Sequence, residues 1–338
     1  MSLVLTALAS AGLCAALIVS LKPWLIRYAL ARPNARSSHR TPTPQGGGIA
    51  VLAAALTAAG VTIVGGAPAT VLIGYMPVAL AAVFLAVIGA VDDIRPLPAL
   101  PRLIAQCLAV SAVVISASAL TGRILPDPVP HSVEVALVIL AGVWFVNLVN
   151  FMDGLDWITV AEFVPITAAL VLLFWLGAVP FEVAVAASAL LGALLAFAPF
   201  NKPVARLFLG DVGSLPIGLL VGWMLFRVAE TGAFAAALLL PLYYLADATI
   251  TLLRRLGRRE KIWEAHRSHF YQRATDNGFS VLAVSGTVFA LNIALAALAI
   301  GSMLWPSVST QIVTLLTGLA LVGVVLRRFS RRNKEHSA

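Results

Sequence analysis

The chain has 338 residues, of which 60% are hydrophobic and only 11% are charged, and its mean hydropathy is +0.97. This composition excludes an ordinary soluble domain and predicts a membrane protein with many spans, because each crossing takes roughly 20 apolar residues. The net charge of +8 needs no nucleic-acid partner, since basic cytoplasmic loops are the usual topological signal of membrane proteins.

Apolar segments recur along the whole chain and predict an all-α bundle of about 10 or 11 transmembrane helices. Their predicted ranges are 3–21, 46–65, 69–91, 102–120, 133–150, 159–177, 182–199, 212–230, 233–254, 279–304 and 309–326. With the N-terminus in the periplasm, only Arg123 and Arg227 of the 23 basic residues lie on the periplasmic side. The positive-inside rule therefore predicts this orientation, with one integrated domain over 1–338 and a basic cytoplasmic tail at 327–338.

The segment Asn147 to Trp157, NLVNFMDGLDW, places Asp153 and Asp156 at the end of an apolar run. A carboxylate near hydrocarbon is costly unless it faces water, a partner or a cation, so both acids are candidates for function. On a helix their spacing puts them on one face, which also carries Asn147 and Asn150. Joining of membrane helices would explain the asparagines but explains the two acids poorly.

A second acidic pair, Asp92 and Asp93, closes the third predicted span just before a proline-rich connection. Neighbouring residues on a helix point about 100° apart. We therefore expect one carboxylate to face a cation or a substrate and the other to face a protein partner. An ordinary acidic pair on a surface loop is the alternative interpretation.

Two glycine-containing turns precede predicted spans. Asp211 lies in a Gly-Asp-Val-Gly-Ser turn, where it is either a helix N-cap or a functional acid. Asn201 and Arg206 lie shortly before it and supply donors that suit phosphate oxygens. Gly47, in a triplet of glycines, allows a close backbone approach, either to a substrate or simply at the start of a helix.

The longest predicted cytoplasmic connection contains His266 and His269, together with Arg267 and Arg273. Two histidines without nearby cysteine or acid at ligand spacing make an incomplete zinc site. Histidine and arginine among many cations suit a polyanion, and a solvated basic loop is the alternative. For Asp247, within the ninth span, we favour structural pairing with the arginines two turns later or with another helix over a chemical role.

The predicted topology places all these clusters on one membrane face. Acids combined with phosphate-binding cations and glycine turns predict a Mg²⁺ and pyrophosphate site that receives a soluble nucleotide and a lipid. The rival hypothesis is an ion-coupled transporter, but its acids should lie near the middle of the bilayer.

The order of these motifs resembles the polyprenyl-phosphate N-acetylhexosamine-1-phosphate transferase superfamily between Arg32 and Arg273. The motifs that carry the resemblance are SSHRTPTPQGGG, VDDIRPLP, NLVNFMDGLD, NKPVARLFLGDVGS and HRSHFYQR. The segments DATITLLRRL and KIWEAHRSHFYQR are most similar to the bacterial branch that initiates O-antigen synthesis. The resemblance implies a catalytic transmembrane bundle in the bacterial inner membrane with its active site in the cytoplasm.

The same resemblance implies a reaction and a set of partners. Members transfer an N-acetylhexosamine 1-phosphate from a UDP-sugar to undecaprenyl phosphate, release UMP and use Mg²⁺, with Mn²⁺ as a second option. A homodimer is compatible with the resemblance, whereas the identity of the sugar does not follow from it. The histidine motif of this chain reads His-Arg-Ser-His, and the lack of consecutive histidines argues against the alternative donor, a UDP-muramoyl-pentapeptide.

Roles for individual residues follow from the resemblance, motif by motif. Asp211 would ligate Mg²⁺ together with Asp93. The implied catalytic residues are Asp92, Asp93, Asp153, His266 and His269. The implied substrate-binding residues are Gly47, Asn150, Asp156, Asn201, Arg206, Arg267 and Arg273. Asp156 matches the acid placed near the uracil, and Trp157 stands where many members have glycine, so it would reshape the pocket floor or stack on a ring.

Overall fold

The computed structural model describes residues 2–31, 42–118, 124, 128–261 and 266–332. These residues form thirteen helices: α1 Leu3–Tyr28, α2 Gly47–Gly66, α3 Ala69–Ile94, α4 Ala99–Ser118, α5 His131–Met152, α6 Ile158–Trp175, α7 Phe181–Asn201, α8 Asp211–Glu230, α9 Phe234–Leu239, α10 Leu242–Gly257, α11 Phe270–Asp276, α12 Val281–Leu304 and α13 Val308–Phe329. Ten are long and apolar enough to cross a membrane. The predicted all-α polytopic fold is therefore confirmed. Most of the SSHRTPTP motif and part of the basic tail lie outside the described residues.

The predicted ninth span, 233–254, is not one helix but two. α9 ends at Leu239 and α10 begins at Leu242, with Pro241 between them. Proline has no backbone N–H and its ring clashes with the preceding turn, so a continuous helix is disfavoured here. Hydropathy alone did not reveal this break, because the residues on both sides of it are apolar.

Helices α7 and α8 form the centre of the bundle. α7 packs against α1, α2 and α6, and α8 packs against α2, α3 and α5. Small residues permit the close approach, because a Cβ on Gly48 of α2 would collide with Gly213 of α8. The start of α8 is thus held among three other helices, and this placement positions Asp211.

A short strand pair connects α1 to this region. β1 (Leu30–Ala31) and β2 (Thr43–Pro44) are antiparallel, with Leu30 opposite Pro44. Gln45 then forms a parallel bridge with Phe208, just before α8. Within the described residues these are the regular strands, and they join the start of α2 to the loop that leads into α8.

The sequence motifs lie at helix ends on one side of the bundle. We call this side the motif end; it contains the C-termini of α3, α5, α7 and α10 and the N-terminus of α8. Arg227, at the other end of α8, forms ion pairs with Glu182 and Glu230 at 2.9 Å each. The shared location of the motifs agrees with the expected topology, while the assignment of the motif end to the cytoplasm stays a prediction.

Candidate active site

Four aspartates from three segments meet at the motif end. We call Asp92, Asp93, Asp153 and Asp211 the carboxylate cluster. One nitrogen of Arg102 lies 2.5 Å from the Asp92 carboxylate and 3.6 Å from the Asp211 carboxylate, and Asp93 is close enough to Asp153 to repel it electrostatically. Carboxyl groups this close require a shared proton or a cation between them. The cluster is therefore suited to hold positive charge.

Asp93 fixes the position of Asp211. Its Oδ1 accepts a hydrogen bond from the Asp211 N–H at 2.9 Å, and its Oδ2 accepts one from the Val212 N–H at 3.1 Å. The carboxylate thus caps the free N–H groups at the start of α8 from a different helix. Gly210 precedes them with φ of +77°, and a Cβ there would lie 2.5 Å from Asp93. Of the predicted acidic pair, Asp93 is the member that faces a protein partner.

Asp92 is paired with Arg102, a residue that the sequence analysis treated only as a topological charge. Asp92 accepts hydrogen bonds at 2.5 Å from the Leu97 N–H and from the Arg102 guanidinium. The same Arg102 nitrogen lies 3.6 Å from the Asp211 carboxylate. Arg102 therefore brings one positive charge to two acids. Its position at the start of α4, beyond three prolines, was the only signal in the sequence that could have indicated this.

The two asparagines of α5 have different partners. Asn150 donates to Asp211 Oδ1 at 2.8 Å and to Ser214 Oγ at 2.9 Å, so it joins α5 to the carboxylate cluster. Asn147, one turn earlier, donates to Gln106 Oε1 at 2.6 Å. Asn147 therefore joins helices, whereas Asn150 orients an acid of the site.

Asp153 follows the last residue of α5 and accepts a hydrogen bond from the Thr159 hydroxyl. Burial raises the pKa of Asp153 to about 7, and repulsion from Asp93 adds to the increase, while the Thr159 hydroxyl lowers it. A carboxyl group with this pKa can take up or release a proton near neutral pH, which is the requirement for a general base.

Asp156 is buried with 3% exposure. Its Oδ2 accepts a hydrogen bond from the Ala205 N–H at 2.9 Å, and its carbonyl oxygen accepts one from the Ser285 hydroxyl at 2.7 Å. In this arrangement the side chain fixes the loop between α7 and α8 to the end of α5. Its predicted proximity to uracil stays a prediction.

Trp157 and Asn201 stabilise each other's segments. The Trp157 N–H donates to Asn201 Oδ1 at 2.8 Å, and the indole N–H donates to the Ala198 carbonyl at 2.7 Å. Trp157 has φ of +64°, a conformation that glycine adopts most easily. The positive φ explains why glycine suits the position of Trp157. The hydrogen bond to Asn201 shows that Asn201 has a structural role, which its motif did not reveal.

Asp247, on α10, holds in place the segment that carries His266 and His269, which we call the histidine segment. Its fully buried carboxylate accepts hydrogen bonds from the N–H groups of Phe270 at 2.9 Å and Tyr271 at 3.1 Å. It also lies 3.2 Å from His269 Nδ1. The predicted structural pairing is therefore present, but its partners are the histidine segment and the start of α11, not the arginines later in α10.

His266 lies beside His269, with the ring centroids 4.8 Å apart, and its Nδ1 is 2.8 Å from the Ser268 hydroxyl. Burial, together with the neighbouring His269 and Arg255, lowers the pKa of His266 to about 4. The imidazole is thus neutral at pH 7. It can form hydrogen bonds with a ligand, but positive charge in this region comes from arginine.

The histidine segment also contacts the carboxylate cluster's side of the bundle. The Tyr271 hydroxyl donates to the Phe151 carbonyl at 3.1 Å, and a Cβ on Gly154 would collide with that hydroxyl. Burial raises the pKa of Tyr271 well above its usual range, so the phenol stays protonated. Tyr271 was not singled out from the sequence. It connects the two parts of the predicted site.

The remaining predicted substrate-binding residues lie apart from the cluster. Arg267 forms an ion pair with Asp276 at 3.1 Å. Arg206 is exposed and donates to a main-chain carbonyl at 3.4 Å. The N–H of Gly47 donates to the Phe208 carbonyl at 2.9 Å, so it serves the pairing of α2 with the loop before α8. Arg273 lines a separate basic cavity.

In the described parts of the chain, no group of three or more His, Cys, Asp or Glu residues has the arrangement of a complete metal site. Mg²⁺ does not need one, because it is commonly held by one or two carboxylates together with substrate phosphates and water. Asp92 and Asp211 fit this requirement, since both carboxylates lie near the same Arg102 nitrogen and the Asp211 side chain is 26% exposed.

Comparison with known proteins finds a family that part of this chain matches. The family model of glycosyl transferase family 4 matches residues 75–229. The decaprenyl-phosphate N-acetylglucosaminephosphotransferase of Mycolicibacterium smegmatis is 32% identical over 64% of this chain and 58% of that protein. The enzyme of the same name from Mycobacterium tuberculosis H37Rv is 28% identical over 81% of this chain and 77% of that protein.

A third relative carries a different name. The phospho-N-acetylmuramoyl-pentapeptide-transferase of Opitutus terrae is 29% identical over 51% of this chain and 52% of that protein. The chain thus spans between about half and three quarters of the length of these relatives. The matched region contains Asp92, Asp93, Asn150, Asp153 and Asp211, which are the residues that meet at the motif end. The family-model match and these relatives support similarity to the polyprenyl-phosphate N-acetylhexosamine-1-phosphate transferase superfamily, to which glycosyl transferase family 4 corresponds.

Proposed function

We propose that this protein transfers an N-acetylhexosamine 1-phosphate from a UDP-sugar to undecaprenyl phosphate and releases UMP. The carrying observation is the carboxylate cluster, in which acids from three segments and the guanidinium of Arg102 meet at the end of a membrane bundle. A soluble nucleotide and a lipid can both reach such a position. The names of the relatives, which act on decaprenyl phosphate or on a phospho-N-acetylmuramoyl-pentapeptide, support the class of reaction.

In the proposed reaction, an oxygen of the lipid phosphate attacks the sugar-linked phosphorus of the donor. A new P–O bond forms, and the bond to the leaving UMP breaks. The second pKa of a phosphate monoester is about 6, so the lipid phosphate is partly protonated near neutral pH. Asp153, whose pKa is raised to about 7, is matched to accept that proton. Arg102 offsets negative charge beside Asp92.

The proposed cofactor is Mg²⁺, held by Asp211 and Asp92, with Mn²⁺ as a second option. When bound, the cation would neutralise charge on the phosphate oxygens during transfer. Asn150 fixes one oxygen of Asp211, and Asp93 fixes the main chain on which Asp211 is carried. The protein thus contributes mainly positioning and charge stabilisation.

The biological assignment that we propose is initiation of O-antigen or a related surface polysaccharide, at the cytoplasmic face of the bacterial inner membrane. Its support is the resemblance of the α10 and histidine segments to that branch. The alternative donor is a UDP-muramoyl-pentapeptide, which one group of relatives favours by name. The separated histidines, His266 and His269, speak against it.

A donor panel tests this proposal. The purified protein is incubated with Mg²⁺, undecaprenyl phosphate and one UDP-sugar at a time, and UMP and lipid-linked sugar are both quantified. We expect equal amounts of the two products with at least one UDP-N-acetylhexosamine and none with the muramoyl-pentapeptide donor. Absence of UMP with every donor would refute the transfer reaction, and product only with the pentapeptide donor would replace the proposed branch.

A further inference from the structure

A second polar site lies on α10 and the histidine segment. Thr251, Arg254 and Arg255 of α10 and Arg258 just after it lie at positions i, i+3, i+4 and i+7, so they share one helix face. With three residues of the following segment they enclose a cavity of about 320 Å³, which we call the arginine cavity. It is lined by Thr251, Arg254, Arg255, Arg258, Arg267, Ser268 and Arg273.

The cavity has more positive than negative charge. Arg255 pairs with Glu260 at 3.1 Å and Arg267 pairs with Asp276 at 3.1 Å. Arg258 reaches Glu260 only at 4.0 Å, and its side chain is 74% exposed. Within the described residues, these two carboxylates therefore face five arginines around the cavity.

Two observations indicate an anionic ligand. The Nε of Arg255 is buried and forms no hydrogen bond with the described residues, although the residue is only 9% exposed. A buried donor without a partner costs free energy, so a ligand that accepts its hydrogen bond would be favoured. Several guanidinium groups that face one cavity suit a phosphate group in particular, because they bind its oxygens in pairs.

The surroundings of the cavity indicate a lipid. Leu253 and Leu256 alternate with the arginines on α10 and are 60% and 58% exposed. A helix with exposed leucines beside arginines is typical of the boundary between acyl chains and head groups. A phosphate carried by a lipid would place its head group in the cavity and its chains against these leucines.

We infer that the arginine cavity binds the phosphate of an anionic bilayer phospholipid, at a site whose lining is distinct from the carboxylate cluster. Polyprenyl phosphate shares this chemistry, but it is the proposed substrate of the cluster, so its selective binding in the cavity would be a different result. Free phosphate would lack the contacts with the two leucines. The inference concerns binding, so it does not depend on the proposed transfer reaction.

Native mass spectrometry of the whole protein in detergent tests this inference. Phosphatidylglycerol, undecaprenyl phosphate, phosphatidylcholine, inorganic phosphate and UMP are added separately, and the bound fraction is measured against concentration. The test variant is Arg254→Gln/Arg258→Gln, and Arg254→Lys/Arg258→Lys keeps the charge. Arg259→Asn is the matched control, because Arg259 is adjacent but does not line the cavity, and asparagine tolerates its φ of +58°.

We expect tight binding of phosphatidylglycerol and a loss of about fivefold in its affinity for each arginine replaced by glutamine. The lysine variant and Arg259→Asn should retain most of the binding. If the glutamine variant loses binding of undecaprenyl phosphate but not of phosphatidylglycerol, the cavity serves the substrate and the inference is overturned. Equal lipid binding by the glutamine variant and the Arg259→Asn control would overturn the inference, as would binding of phosphate or UMP without lipid. Thermal unfolding of each variant shows whether the fold is retained. The single change Arg258→Gln, at an exposed side chain, removes one arginine of the cavity with little effect on folding.

Discussion

The carboxylate cluster and the arginine cavity lie at the same end of the bundle but have opposite charge. In the cluster, four aspartates meet and only Asp92 and Asp211 lie near Arg102, so the site is suited to a cation and to phosphates bound through it. In the cavity, five arginines face Glu260 and Asp276, so the site is suited directly to an anion. This end of the bundle therefore offers two ways of holding phosphate, through a cation and directly.

Both regions nevertheless depend on the same structural device. A buried or half-buried aspartate from one helix accepts hydrogen bonds from the first N–H groups of another helix. Asp93 does this for α8, and Asp247 does it for α11. The caps fix the segments that carry Asp211 and His269, so each region can be disturbed separately.

The largest effect should come from the cluster itself. Asp211→Asn removes a negative charge from the proposed Mg²⁺ site, and we expect the rate of UMP release to fall by at least about 100-fold. The dependence of the remaining rate on Mg²⁺ concentration should weaken. Asp276→Asn, which removes an acid near the cavity, serves as the control. Full activity of Asp211→Asn would refute the metal assignment.

A smaller effect should follow from loss of the cap in the other region. In the native protein, two carboxylate oxygens of Asp247 accept hydrogen bonds from the first N–H groups of α11. Asp247→Asn leaves a single acceptor oxygen, and we expect a loss of roughly 1–3 kcal/mol in folding stability. Unfolding in detergent measures this cost. Because the cluster is not touched, the Mg²⁺ concentration for half-maximal activity should stay the same. A large change in that concentration would show that the two regions are not separable.

The pH dependence of the rate tests the role of Asp153. If its carboxylate accepts the proton of the lipid phosphate, the rate should fall as the pH decreases through about 7, where Asp153 becomes protonated. The Thr159 hydroxyl favours the ionised form and lowers this pKa, so Thr159→Val should shift the acidic limb to higher pH. Thr167→Val is the control, because that hydroxyl donates to a carbonyl of its own helix. An unmoved limb in Thr159→Val would exclude Asp153 as the titrating group.

The smallest effect is expected at Trp157. Trp157→Gly relieves a positive φ but removes the indole hydrogen bond to Ala198. These contributions oppose each other, each on the order of 1 kcal/mol. Since the indole N–H is bonded to α7, we expect the donor preference to stay unchanged across the UDP-sugar panel. A changed preference would assign Trp157 to donor selection.

Much of the architecture could be predicted from the sequence. Hydropathy located the ten long helices, and the motif order predicted which helix ends would meet. The break at Pro241 was missed because apolar residues continue on both sides of it. The orientation of the helices in the membrane stays a prediction from the charge distribution.

Individual roles at the site were harder to predict, because they depend on partners distant in sequence. Asp92 and Asp93 are neighbours, yet only the fold shows that Asp93 caps α8 while Asp92 pairs with Arg102. Asp247 was expected to pair with nearby arginines or with another helix, and only the fold shows that its partners are His269 and the start of α11. Asn147 and Asn150 share a motif, and only the packing of α4 and α8 against α5 separates their functions.

These two asparagines provide the most direct test of the central claim, that the carboxylate cluster performs the transfer. UMP release is measured for Asn150→Ala and Asn147→Ala under the same conditions, with stability determined in parallel. We predict a fall of about 10-fold or more for Asn150→Ala, which frees Asp211, and a change of less than about threefold for Asn147→Ala, which loses hydrogen bonds to Gln106 and to a carbonyl of its own helix. Equal rates for the two variants, or a greater loss for Asn147→Ala, would contradict the account.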